Sequence, residues 1–267
     1  MKKYLVEPDQ KINLEEFDPG DTSEWAGSKS EAKDEISRLA ARLDKLQQVL
    51  YAQHEHKILV VLQGMDTSGK DGTIRRVFDG VNPQGVQVAS FKQPTPEELD
   101  HDFLWRIHAQ APAKGRLVIF NRSHYEDVLI VRVHNLVPQK VWKKRYDQIN
   151  EFERSLAENG TTILKFCLWI TKDTQKKRLQ ERLDDPKKQW KFNPADLKER
   201  DLWADYTQAY QDAVNLTSTR WAPWVVVPAD HSWYRDLVVA QFVVKALEDL
   251  NMSYPEPSYD PSKIVIK

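Results

Sequence analysis

The chain has 267 residues, 40% of them hydrophobic, a formal net charge of −1 and one cysteine. That is enough apolar material for one α/β domain with a full core and no disulfide framework, and a charge so close to zero argues against a dedicated nucleic-acid binder. No apolar run reaches the ~18 residues of a membrane span, and the opening Met-Lys-Lys-Tyr-Leu-Val-Glu-Pro lacks a signal-peptide core, so a protein of the cytoplasm with no membrane partner is expected.

Residues 1–28 are polar and turn-rich and read as an extended arm. Ile36, Leu39, Leu43, Leu46 and Leu50 recur at helical spacing and predict one long amphipathic helix over 29–53. Residues 1–56 therefore form an arm plus helix, and 57–267 the main domain. A buried strand, a glycine-bounded loop and a helix follow at 57–80. Val86–Phe91 alternates as a strand, Pro96–Ala109 reads as a helix with proline in its first turn, and Leu117–Phe120 as a strand ending at Asn121. A charged helix over 138–158 is closed by Asn159-Gly160. Thr161–Ile170 is another buried strand, which makes Cys167 a core residue. A charged, proline-punctuated region spans 172–216. Trp224–Val227 is a last strand, 232–250 a last helix, and 253–267 a loosely packed tail. Strands alternating with helices predict a parallel sheet of five strands covered on both faces.

The loop after the first buried strand is Gly64-Met-Asp-Thr-Ser-Gly-Lys-Asp-Gly72, a P-loop pattern. Its glycines let successive N–H groups face an anion, the next helix adds its positive end, and the lysine reaches the outer phosphates. Gly64, Thr67, Ser68, Gly69, Lys70, Asp71 and Gly72 are the candidate phosphate-binding residues. The usual Ser/Thr after the lysine is here Asp71, and Asp66 adds a second carboxylate. Two acids beside bound phosphates call for a divalent metal, expected to be Mg²⁺.

The strand 117–120 runs into Asn121-Arg122-Ser123-His124-Tyr125-Glu126-Asp127. Many P-loop enzymes end this strand in a metal-binding Asp; here the position is Asn121, a poorer ligand. Asp66 and Asp127 are then the candidate metal ligands. Ser123-x-x-Glu126 also has the spacing of a capping box, so for Glu126 a helix cap and a catalytic role both stay open. Arg122 stands at the sheet edge where ligands bind and reads as a phosphate contact, and His124 as a packing or hydrogen-bonding residue. Arg106 is a candidate contact to an acceptor phosphate, while Phe103 and Trp105 read as core.

Between Lys172 and Arg200 ten Lys or Arg stand against six Asp or Glu. Arg178 and Arg182 share a helix face at i, i+4, and Pro186 and Pro194 bracket a connector. This reads as a cationic helical lid over about 172–200 that closes on phosphates, anchored by Trp190 and Phe192.

Gly64–Gly72, Phe120–Asp127 and the arginine-rich segment with Lys188-Gln-Trp-Lys-Phe192, in this order, resemble the polyphosphate kinase 2 family over nearly the whole chain. Asn at position 121 is similar to its class III. The resemblance implies a P-loop kinase fold with a helical lid, and transfer of the terminal phosphoryl group of inorganic polyphosphate to AMP and ADP with Mg²⁺ or Mn²⁺. It implies metal binding and catalysis by Asp66 and Asp127, and Lys70 on the phosphoryl group in flight. Arg122, Arg178 and Arg182 would line the polyphosphate side, and Asn121 would permit the wider acceptor range. It also implies adenine nucleotides as partners, with room for guanine nucleotides, and a homodimer or homotetramer. The rival reading is an ATP-dependent nucleoside monophosphate kinase, from which Asp71 and Asp66 lean away.

Overall fold

The run Ile58–Leu62 lacks polar alternation because both faces of its strand are covered. Leu59 and Val61 enter one core layer, and Ile58, Val60 and Leu62 the other. The structure is a computed structural model that describes residues 2–266; Met1 and Lys267, the outer ends of the predicted arm and tail, lie outside them. In chain order the elements are β1 (Leu5–Val6), α1 (Lys29–Gln53), β2 (Lys57–Gln63), α2 (Lys70–Val77), β3 (Val86–Ser90), α3 (Pro96–Asp100), α4 (Trp105–His108) and β4 (Leu117–Asn121). Then come α5 (Ile130–Val133), α6 (Gln139–Glu158), β5 (Thr161–Trp169), α7 (Lys172–Asp184), α8 (Ala195–Asp201), α9 (Trp203–Thr217), β6 (Trp224–Pro228) and α10 (Ser232–Glu248).

The sheet order is β1-β6-β5-β2-β4-β3. The five predicted strands pair in parallel. Helices α6 and α9 cover one face, and α1, α2 and α10 the other. Strand β2 lies between β4 and β5, and the crevice beyond its carboxyl end, where the chain runs to either side, is the ligand position of open α/β sheets. Helix α1 begins with a capping box in which Ser28 accepts from the Glu31 N–H and Glu31 accepts from the Ser28 N–H.

Two expectations change. The sheet is mixed and six-stranded, because Leu5 and Val6 of the arm pair antiparallel with Val225 and Trp224 and cover the edge that β6 would leave open. The single helix predicted over 96–109 is two. The chain turns extended at His101, and Asp102 Oδ1 accepts from the Leu104 N–H at 2.9 Å, an Asx turn that starts a second short helix. The charged region 172–216 is mostly helical, as α7, α8 and α9. The tail stays exposed from 253 to 266.

Candidate active site

A cleft of about 1140 Å³ opens at the carboxyl edge of β2 and β4. Asp66, Thr67, Gly69, Lys70, Asp71, Gly72, Asn121, Arg122, Arg178 and Arg182 line its wall. Of the remaining predicted residues, Gly64, Ser68, Arg106, Glu126 and Asp127 do not line it. The P-loop curls through left-handed conformations at Thr67 (φ 66°) and Gly69 (φ 104°). Lys70, 9% exposed, donates to the Gly64 carbonyl at 2.6 Å. Burial lowers its pKa and Arg122 adds to this, against the opposing pull of Asp66, Glu126 and Asp71.

Long-range pairs link the P-loop to β4. Arg122 Nη2 donates to Asp66 Oδ1 at 3.0 Å, and Asn121 Nδ2 donates to Asp71 Oδ1 at 2.7 Å. Arg122 is a non-glycine residue at φ 62°, a strained conformation that places its side chain over the P-loop. Of the two readings left open for Glu126, the reciprocal capping box is not formed, although Ser123 still caps the turn that follows it. Ser123 Oγ accepts from the Tyr125 N–H and from Gln63 Nε2, each at 3.2 Å, because β2 brings Gln63 within reach. The Glu126 carboxyl instead stands in the field of Arg122 and Lys70. Burial raises its pKa, and those two cations oppose the rise.

Asp127 is 9% exposed and accepts from Arg145 of α6 at 2.8 Å. Burial pushes its carboxyl up to about 6, although Arg145 and Arg106 pull it down. An acid whose folded pKa exceeds its unfolded value of about 4 binds more protons in the folded state. Stability therefore falls as pH rises from about 4 to about 6, by about 1.4 kcal/mol per unit of displacement. Asp127→Asn is expected to remove this slope, measured as urea midpoints of metal-free protein across the window. A variant that keeps the wild-type slope would assign the titration to another group.

The Asp66 and Asp71 carboxylates are hard oxygen donors and fit a divalent cation that retains much of its water. Among the described residues no three His, Cys, Asp or Glu side chains form a metal cage, so such an ion would take further ligands from water and substrate phosphates.

The lid places its arginines differently from each other. Arg178 donates to four backbone carbonyls: Thr67 at 2.9 Å, Ser68 at 3.3 Å, Ala229 at 2.6 Å and Asp230 at 2.9 Å. Its guanidinium thereby ties the P-loop to the turn after β6. Arg182 donates to the Lys191 carbonyl and to Asp196. Trp190 does not anchor the lid; it is 77% exposed, held only by its Nε1–H to the Lys187 carbonyl and by Lys191 over its ring. Trp105 is likewise no core residue but stacks on exposed His101 with ring centroids 4.1 Å apart. Arg106 is buried and donates to the Lys92 carbonyl at 2.9 Å. Cys167 is buried as expected.

Sequence reasoning missed Arg235. This α10 residue reaches the P-loop, donating to the Ser68 carbonyl at 3.2 Å and to Asp236 at 2.9 Å. It also left Lys92 of the cleft wall unassigned, and it counted Lys177 and Lys191 there only among the cations of the lid. Lys177 and Lys191 lie inside the basic lid segment, whereas nothing local marks Arg235, which sits 167 residues from its partner.

Residues 26–255 match the family model "Polyphosphate kinase 2 (PPK2)". The chain is 60% identical to the AMP/ADP-polyphosphate phosphotransferase of Meiothermus ruber over 100% of both chains. It is 44% identical to the ADP-polyphosphate phosphotransferase of Rhodopseudomonas palustris, over 96% of this chain and 92% of that one. Among solved structures, polyphosphate kinase 2 from Arthrobacter aurescens TC1 superposes with a TM-score of 0.93 at 43% identity, covering 97% of this chain and 95% of that one.

Proposed function

The chain belongs to the polyphosphate kinase 2 family, and from that premise we infer that it transfers the terminal phosphoryl group of inorganic polyphosphate to AMP and ADP, giving ADP and ATP. The observation that carries this is the meeting of Lys70, Arg122, Asp66 and Asp71 at one sheet edge, walled by lid cations. Phosphoryl transfer needs positioning and charge neutralisation more than covalent help from the protein. In our reading the P-loop N–H groups and Lys70 hold the phosphoryl group, Arg122 offsets charge on the bridging and leaving oxygens, and Lys177, Arg182 and Lys191 track the polyanionic donor. Arg106, behind Lys92, orders the acceptor side. Arg178 is a positioning residue that holds the P-loop carbonyls so that its N–H groups face the cleft.

The family's divalent metal is assigned here as Mg²⁺ or Mn²⁺, held by Asp66 and backed by Asp71, with Asp127 as the second ligand expected from the sequence. When bound, the ion neutralises phosphate charge and orients the oxygens. Residues 1–56 act as a buttress, since α1 packs into the core shared with α10, and catalysis belongs to 57–267. Among the described residues no helix is long and apolar enough to cross a membrane; we propose a cytoplasmic homodimer or homotetramer, with guanine nucleotides as further acceptors.

The test is chromatography of nucleotides after incubation of the protein with AMP, Mg²⁺ and long-chain polyphosphate, without ATP. ADP followed by ATP is expected. No product there, with ADP formed once ATP replaces polyphosphate, would hand the chain to the ATP-dependent monophosphate kinases. Arg178→Ala is expected to lower kcat/KM for nucleotide and for polyphosphate alike, by roughly 10- to 100-fold, because both depend on the P-loop. A loss confined to polyphosphate would make Arg178 a donor contact.

A further inference from the structure

Behind the turn that carries Arg122 and Glu126 lies a polar network wholly inside the core. Lys165 of β5 donates to the Tyr125 hydroxyl at 2.7 Å, to Glu153 Oε2 at 2.6 Å and to the Thr217 carbonyl at 2.7 Å. The Tyr125 hydroxyl donates to Glu153 Oε1 at 2.8 Å, and His124 Nε2 lies 3.1 Å from the same oxygen. Lys165, Glu153, His124 and Tyr125 are all 0% exposed. The Trp224 ring closes the site, 4.7 Å from the Tyr125 ring and 5.0 Å from the Lys165 ammonium. Four elements, α6, β5, α9 and β6, thus converge on two successive residues of the turn after β4.

A buried ion pair adds little stability over apolar residues of the same shape. What it does supply is direction: charged hydrogen bonds in a dry interior tolerate little displacement of their partners. The turn divides its side chains between the two sides. His124 and Tyr125 go down into the network, while Arg122 and Glu126 on either side of them face Lys70. Arg122 sits at φ 62°, a backbone strain that persists only where the surroundings over-determine it. On its N-terminal side Asn121 is held by the β2–β4 pairing. On its C-terminal side Ser123 is held by Gln63 and Tyr125 by the network.

We propose that Tyr125, Lys165 and Glu153 are a positioning unit for phosphoryl transfer: they fix the turn 122–126 from below and so set Arg122 and Glu126 against Lys70. The proposal rests on the phosphotransferase reading, and wild-type turnover tests that reading separately. Lys165 and Glu153 are wholly buried and do not line the cleft. Their effect passes through the Tyr125 hydroxyl.

Tyr125→Phe removes that hydroxyl and keeps the ring on Trp224. Initial rates with AMP and inorganic polyphosphate are expected to show kcat down roughly tenfold with both KM values within about twofold of wild type. Amide hydrogen exchange should quicken at residues 122–127 and not at α1. Leu43→Ala, in the core under α1, is the control for stability: at an equal drop in melting temperature it should keep wild-type kcat. Should Tyr125→Phe not fold, the double variant Lys165→Met with Glu153→Gln, which leaves neither buried charge unpaired, carries the same comparison. Unchanged kcat in the folded variant, or a fall matched by Leu43→Ala, overturns the proposal.

Discussion

Lys70→Ala is expected to lose turnover by roughly three orders of magnitude while the protein stays folded. The side chain is buried at the first residue of α2, within reach of the P-loop carbonyls. An ammonium in that position acts in a medium of low effective dielectric, and removing one pre-placed charge from such a site typically costs 10²–10³ or more in kcat. Stability moves the other way or hardly at all. Burial already disfavours the charged lysine, so its loss relieves a desolvation penalty while leaving the Gly64 carbonyl without its donor. The measurement is kcat by nucleotide chromatography beside the melting temperature from calorimetry. Wild-type turnover in a folded Lys70→Ala protein would remove the P-loop from the mechanism and with it the whole site assignment.

Gly69→Ala is expected to damage fold and activity together. Gly69 has φ 104°, and an added Cβ would stand 1.8 Å from Arg235 Nη1. A flexible arginine on a surface would swing away. Arg235 is 4% exposed, bonded to the Ser68 carbonyl, and paired with Asp236 at 2.8 Å. Asp236 in turn accepts from Thr73 Oγ1 of α2 at 3.0 Å. Displacing the guanidinium therefore breaks the joint between α10 and the start of α2. Left-handed strain of about 1–3 kcal/mol adds to about 1–3 kcal/mol for lost buried hydrogen bonds. At about 2–4 °C per kcal/mol for a chain of this size, the melting temperature should drop by roughly 4–24 °C. Turnover should fall at least about 100-fold, since the N–H groups after Gly69 no longer aim at the phosphates. A Gly69→Ala protein with wild-type melting and turnover would mean that Arg235 has free room and that the joint is not structural.

The features legible in the sequence share a short range. Gly64-x-x-x-x-Gly69-Lys70 spans seven residues, and glycine freedom at its two ends makes its curl recognisable locally. The strands Leu117–Phe120 and Thr161–Ile170 were readable because full burial on two faces leaves an uninterrupted apolar run. Helix α1 was readable because its leucines repeat at 3.6 residues. Where sequence reading failed, a distant residue took over a local group. Ser123 and Glu126 have the spacing of a capping box, yet Gln63, 60 residues away, takes part of the Ser123 hydroxyl. Trp190 looked like an anchor by residue type, yet no element packs over it. The pair Leu5–Val6 is too short to show a strand period and becomes one only beside β6.

The phosphate loop, the order of strands and helices and, through three separated motifs, the family are thus legible along the chain. Each depends on interactions within a few residues or on the periodicity of burial. The aim of the site, by contrast, comes from contacts between distant segments. Arg178 and Arg235 reach the P-loop from 111 and 167 residues away, Arg145 takes Asp127 from another helix, and Lys165 holds the turn 122–126 from inside the core. Those contacts join cations to backbone carbonyls, carboxylates and a hydroxyl that carry no local pattern, so their pairing becomes definite only when the sheet brings β2, β4, β5 and β6 side by side.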